Sequence, residues 1–177
     1  MPGIGIQIGA RPDSGFDDPI GMLKDCHRRI EHFLGVLCLV AEKARGRAAS
    51  AEERSAVEAA LHYFHEGGRR HTADEEESLF PRLAAHGATA DLERLEHDHG
   101  EAEALHTEVE QIYSAWFGKG ALSAGDESRL LAATGRLRAL YDAHIAVEDN
   151  IVFPRAAEVL GASEIQTIGE EFRVRRA

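Results

Sequence analysis

The chain is poor in several things a protein can be built from. It has two cysteines, Cys26 and Cys38, in 177 residues. If both lie on one helix, their separation of twelve residues spans about 18 Å, beyond the reach of a disulfide. That predicts a reduced, intracellular chain. Aromatics make up 6%. No apolar run approaches the roughly 20 residues a bilayer demands; the longest, Phe33 to Ala41, is less than half of that. Positive charge is scarce too: 20 Lys and Arg stand against 31 Asp and Glu, a formal net charge of −11. Such a surface repels phosphate backbones and anionic lipid, so neither nucleic acid nor a membrane is expected as a partner. Residues 1–10 have neither a basic start nor a continuous apolar segment, so no secretory signal is read there and a cytoplasmic location is expected. No segment alternates polar and apolar with period two, which excludes an exposed-face sheet.

What is present is helix. At 44% apolar the chain can bury one core of ordinary domain size. Residues 1–16 carry Gly3, Gly5, Gly9, Gly15, Pro2 and Pro12 and read as an extended N-terminal arm, laid over the body by Ile4, Ile6 and Ile8. Asp18-Pro19 opens a first helix that stops near Arg45-Gly46. The capping-box pattern Ser50 to Glu53 opens a second, bent at Gly67-Gly68 and ended by Pro81 and Gly87. A third runs from about Thr89 to Phe117, and a fourth opens at Ser123 and meets Pro154. Ser163 to Gln166 suggests a short last helix. The expected fold is all-α, an up-and-down four-helix bundle over residues 17–160, with a C-terminal helix and tail over 161–177.

Histidine is abundant, at ten residues. Seven of them have glutamate four positions on, where the 21 glutamates would give about one by chance. That spacing stacks the two side chains one helical turn apart, close enough to share a metal. Solvated ion pairs give the same spacing, so the face decides. His144 has Leu137, Leu140, Val147 and Ile151 at offsets of three, four and seven, and points inward. His27 matches with Leu23, Ile30 and Leu34, and His99 with Leu92, Leu95 and Ala102. His71 is a weaker match, with Phe64 behind and Leu79 ahead. His97 and His62 lie among polar neighbours and are expected to be exposed. Four imidazoles and several carboxylates driven into one bundle interior need a common partner, and a metal is that partner.

A repeat supports this. His71 to Arg82 aligns without gaps onto His144 to Arg155 at offset 73, and His27/Glu31 maps onto His99/Glu103 at offset 72. Two helical hairpins about a pseudo-twofold axis would present His27, His71, Glu75, His99, His144 and Glu148 to a site for two metals.

These motifs are His27, then His71/Glu75 with Leu79-Phe80-Pro81, then Asp98-His99, then His144/Glu148 with Phe153-Pro154. In that order the chain resembles the hemerythrin-like, HHE cation-binding family over about residues 18–160. The resemblance implies two iron ions bridged by Glu75 and Glu148, with the imidazoles as terminal ligands. It also implies a small-molecule partner: dioxygen, peroxide or nitric oxide. The oxygen carriers of the family resemble one another in a His-x-x-x-His third helix, whereas here Glu103 follows His99. His106 shares that face but lies about 10 Å further along the axis. Thr72 stands where many relatives have a second histidine.

Fewer histidines, with Glu31 and Glu103 as nearby carboxylates, would make the site open and anionic and favour redox chemistry or iron handling. The alternatives are a reversible oxygen-binding or sensing module without turnover, and a structural bundle with vestigial ligands. Glu76 is read as a solvated charge, with a spare ligand as the alternative, and Cys26 as a small packing residue, with a redox-active thiol as the alternative.

Overall fold

A computed structural model describes residues 13–177; the expected arm contacts of Ile4, Ile6 and Ile8 lie outside the described residues. The described chain is helical, with five rods. Helix α1 is Pro19–Lys43, with the Asp18 carboxylate accepting from Gly21 N and Pro19 in the first turn. Helix α2 covers 51–85, opened by the reciprocal Ser50/Glu53 box. Helix α3 is Leu92–Lys119, closed by Gly120 at φ 84°. Helix α4 covers 124–159, capped by Ser123, whose hydroxyl accepts from Asp126 N. Helix α5 is Ala162–Val174. Neighbours α1 and α2, α2 and α3, α3 and α4, and α4 and α1 pack together, closing a helical bundle. No helix among the described residues is long and apolar enough to cross a membrane.

Two rods run further than their prolines suggested. Helix α2 passes Pro81 and ends at Ala85, and α4 passes Pro154 and ends at Val159. The reason is a wide π-turn just before each proline, Glu75–Leu79 and Glu148–Val152. Each proline then falls in the first turn of the α-helical segment that follows, where a missing N–H costs least. Here the amide of the preceding phenylalanine reaches back five residues, Phe80 N–H to Glu75 O and Phe153 N–H to Glu148 O. A third π-turn, Phe64–Gly68, stands where Gly67-Gly68 predicted a bend.

The core comes in two parts. One end of the bundle holds Ile30, Leu34, Leu37, Ala102, Val109, Tyr113, Trp116, Leu130 and Leu137. The other holds Leu23, Leu79, Phe80, Leu95, Val152, Phe153, Ile168 and Phe172. Along α1 the step from Leu23 to Ile30 crosses His27; along α3 the step from Leu95 to Ala102 crosses His99. On α2 and α4 the crossing is made at His71/Glu75 and His144/Glu148. A polar layer is thus sandwiched between two apolar blocks, which exclude water from it on both sides.

The C-terminal helix closes one end. Arg175 and Arg176 reach the fully buried Asp74, at 2.9 Å and 2.5 Å, and Arg82 makes a two-pronged contact with Glu171 at 2.8 and 2.9 Å. Ser14 N donates to Asp25, and the Phe16 carbonyl lies so close to Gly169 that a Cβ there would be 1.9 Å from it. Residues 13–17 are therefore held against α1 and α5.

Candidate metal centre

Five of the six expected residues, His27, His71, Glu75, His144 and Glu148, are at most 4% exposed, and the His99 side chain is 9% exposed. They form two tetrads whose ligand atoms lie within 4.8 Å of one another: His27, His71, Glu75 and Glu148, and Glu75, His99, His144 and Glu148. The two glutamates belong to both. Glu75 turns Oε1 to His71 Nε2 and Oε2 to His99 Nε2, each at 3.3 Å. Glu148 turns Oε1 to His144 Nε2 at 3.3 Å and Oε2 to His27 Nε2 at 3.0 Å. Each carboxylate thus gives one oxygen to each tetrad, the arrangement a bridging ligand needs.

The outer nitrogens of the histidines are met by further acids. Asp149 Oδ1 lies 3.1 Å from His27 Nδ1, Glu76 Oε1 2.7 Å from His99 Nδ1, and Asp98 Oδ2 3.5 Å from His144 Nδ1. Such partners orient an imidazole and raise its basicity as a ligand. They follow the repeat: the residue after each shared glutamate, Glu76 or Asp149, contacts the lone histidine of the other half. Asp98 faces His144 Nδ1 at 3.5 Å, and its counterpart at offset 72 is Cys26. A thiol stands there instead of a carboxylate, and among the described residues neither His71 Nδ1 nor His144 Nδ1 makes a hydrogen bond. The two tetrads differ in that a carboxylate stands near His144 and none is found among the described residues near His71 Nδ1.

Of the two readings of Glu76, neither holds as stated: it joins no tetrad, and it contacts the outer nitrogen of His99 rather than being only a solvated charge. Glu31 and Glu103 are also corrected, since both are exposed and neither joins a tetrad; the anionic surroundings come from Glu76, Asp98 and Asp149. His97 and His62 are exposed, as their neighbours indicated. Asp149 was missed, although its place after Glu148, matching Glu76 after Glu75, was visible in the repeat. Both cysteines are free.

Burial and charge pull the centre in opposite directions. Burial alone would push His27 down, but Asp149 and Glu148 beside it raise it to about 10. Burial and the facing Glu148 push Glu75 well above the ordinary carboxylate range. Glu148 is held below that range because contacts from His144 and His27 outweigh its own burial. Burial, with His27 charged nearby, drives His71 well below the usual imidazole value. Both oxygens of Glu75, both of Glu148 and His27 Nε2 are buried without a hydrogen-bond partner. One orphaned buried group costs about 1 to 3 kcal/mol, so five at one point define a cavity for a cation rather than a tolerated defect.

A buried constellation of imidazole and carboxylate in the waist of a helical bundle defines a metal-binding protein. A family model described as the hemerythrin HHE cation binding domain matches residues 18–162, and the chain belongs to that family. A search of curated proteins finds no match.

Proposed function

We propose that the protein is a non-haem di-iron hemerythrin-like protein whose centre reacts with dioxygen, peroxide or nitric oxide, in redox stress defence or iron handling. The observation that carries this is the division of each glutamate's two oxygens between two tetrads. His27, His71, His99 and His144 would be terminal ligands, and Glu75 and Glu148 the bridges. Five carboxylates in or around the site also suit the charge of two iron ions. Nitrogen and oxygen donors of this kind fit iron, manganese and zinc, and the family likeness favours iron. Iron bound here supplies one-electron redox change and positions for an exogenous ligand.

The chain supplies the rest. The two apolar blocks keep water from the layer, the outer acids fix the imidazoles, and the π-turns set Glu75 and Glu148. Each tetrad has two histidines, and Glu103, in the place of a further one, is exposed, which favours turnover over simple oxygen carriage. Paired α1/α2 and α3/α4 hairpins in an up-and-down bundle fit the repeat. A net charge of −11 and two free cysteines support a cytoplasmic protein acting on small molecules rather than on nucleic acid or membranes. Aerobic purification with metal analysis and an absorption spectrum tests the proposal. About two irons per chain with near-ultraviolet charge-transfer bands are expected; a folded chain that refuses iron would overturn it.

A further inference from the structure

The chain has three tyrosines and one tryptophan, the aromatic side chains from which a single electron is most readily drawn. Losing that electron turns the O–H or N–H group of the ring into a strong acid. The ring therefore gives up an electron easily only where its proton has somewhere to go. Three of the four have no such outlet. The Tyr63 hydroxyl donates to the Cys26 carbonyl at 3.3 Å, the Tyr113 hydroxyl to the Leu37 carbonyl, and Trp116 Nε1 to the Arg47 carbonyl at 2.7 Å. A backbone carbonyl accepts a hydrogen bond but is not a base that takes the proton. Tyr141 differs, because its hydroxyl lies 3.0 Å from His106 Nε2 and has no other hydrogen-bond partner among the described residues.

Phenol gives a proton more readily than a neutral imidazole does, and an imidazole nitrogen accepts more strongly than a phenol oxygen. The hydroxyl is thus the donor and Nε2 the acceptor. Burial, followed by the nearby His65, lowers His106 to about 4, so the ring is uncharged at neutral pH and Nε2 keeps its lone pair. Burial, followed by Tyr63 and the carboxylates of Glu75 and Glu148, raises the Tyr141 pKa, so at rest the phenol holds its proton. Oxidation reverses that balance. An oxidised phenol is a far stronger acid than an imidazolium, even one whose basicity burial has weakened.

The pair stands beside the candidate centre. Tyr141 comes three residues before His144 on α4, about 4.5 Å of helix rise. Tyr141, His106 and His99 line one cavity of about 400 Å³ between α2, α3 and α4. Phe64 on α2 covers both partners, with its ring centre 4.2 Å from that of His106 and 6.1 Å from that of Tyr141.

We propose that Tyr141 and His106 form a one-electron donor to the centre: a one-electron oxidant generated there by dioxygen or peroxide draws an electron from the Tyr141 ring while the phenol proton moves to His106 Nε2. The O–H bond breaks and an N–H bond forms. Tyr141 becomes a neutral phenoxyl radical, His106 becomes imidazolium, and the oxidant is reduced by one electron. The pair supplies an electron beyond those that bound iron holds. The proposal rests on the di-iron reading for its oxidant, and on the Tyr141 to His106 contact alone for the path of its proton.

The first measurement uses the metal-free full-length chain with a flash-oxidised ruthenium(III) polypyridyl complex as the oxidant, and reads radicals by electron paramagnetic resonance. A phenoxyl signal is expected in wild type, Tyr63→Phe and Tyr113→Phe, and is expected to be absent from Tyr141→Phe. His106→Gln keeps an acceptor for the hydroxyl but removes the base, and should slow the signal's formation about a hundredfold. A signal that persists in Tyr141→Phe, or that forms equally fast in His106→Gln, overturns the pair.

The second measurement mixes iron-loaded, reduced protein with excess hydrogen peroxide and freezes it rapidly. The same signal is expected in wild type and should be missing from Tyr141→Phe holding the same amount of iron. A signal in the metal-free chain with none here would refute donation to the centre. A wild-type chain that takes up no iron defeats the di-iron reading, while the flash measurement still decides whether Tyr141 and His106 act as a redox pair.

Discussion

The neutral imidazole of His106 should be visible in the protein's acid stability. An ordinary histidine takes a proton near pH 6.5, and burial lowers His106 to about 4. Between those values the unfolded chain binds a proton that the folded chain refuses, so stability falls as pH drops through that window. The slope is about 1.4 kcal/mol per pH unit, and across the window the loss reaches about 3 kcal/mol. Above pH 6.5 neither state is protonated at this position, and below pH 4 both are, so the effect is confined to that range. Replacing His106 with leucine leaves the Tyr141 hydroxyl without its partner, a cost of about 1 to 3 kcal/mol that does not depend on pH. The informative quantity is therefore the difference in slope.

Urea unfolding of metal-free wild type and His106→Leu should be compared at intervals from pH 7 to pH 4. The wild type should lose stability faster than the variant, by up to about 1.4 kcal/mol per unit. The other nine histidines are present in both proteins, so the comparison isolates the effect of removing His106. Parallel curves would mean that His106 takes up its proton at the same pH in the folded and unfolded chain, and would refute the effect of its burial.

Four further outcomes are expected. Glu75→Ala and Glu148→Ala should each lose most of the bound iron by metal analysis, while His97→Ala should match wild type; equal losses in all three would discredit the face assignment. Asp98→Asn, which takes the carboxylate from behind His144, should weaken one metal-binding step about tenfold in a chelator competition, and unchanged affinities would reject the role given to Asp98. Asp74→Ala should lower unfolding free energy by about 2 to 3 kcal/mol, less than for a wholly dry ion pair because Arg175 and Arg176 keep some contact with water; a change within error would show that α5 docks without them. Gly169→Ala should loosen residues 13–17, seen as faster amide exchange at Ser14, because its Cβ and the Phe16 carbonyl cannot share one place.

Much of the site could be read from residue order. His27, His99 and His144 each have apolar residues three, four and seven positions away, and a side chain so flanked faces the core whatever its polarity. The repeat at offsets 72 and 73 then paired His71/Glu75 with His144/Glu148. Composition and helix period were enough for an all-helical chain. They did not reveal the π-turns, because a pattern of 3.6 residues per turn has no place for an extra one, and Pro81 and Pro154 looked like stops. Nor did they reveal Glu76, Asp149 or the His106–Tyr141 contact, since each joins different helices and depends on how they rotate against one another. Asp74 resembled any charge in an acidic run until Arg175 and Arg176, a hundred positions later, were found against it.

The wide turns at Glu75 and Glu148 also decide where the chain tolerates a change of length. Each amounts to one residue more than a regular helix of the same span would use. Removing a solvent-facing residue there, such as Glu77 or Asn150, would let the coil tighten while Phe80 or Phe153 stays in the same block of the core. The rod would survive the shortening, but the glutamate would be wound back from its two neighbours. Scaffold and chemistry can thus be separated within a single helix, at a place where a deletion would ordinarily be expected to unfold the protein.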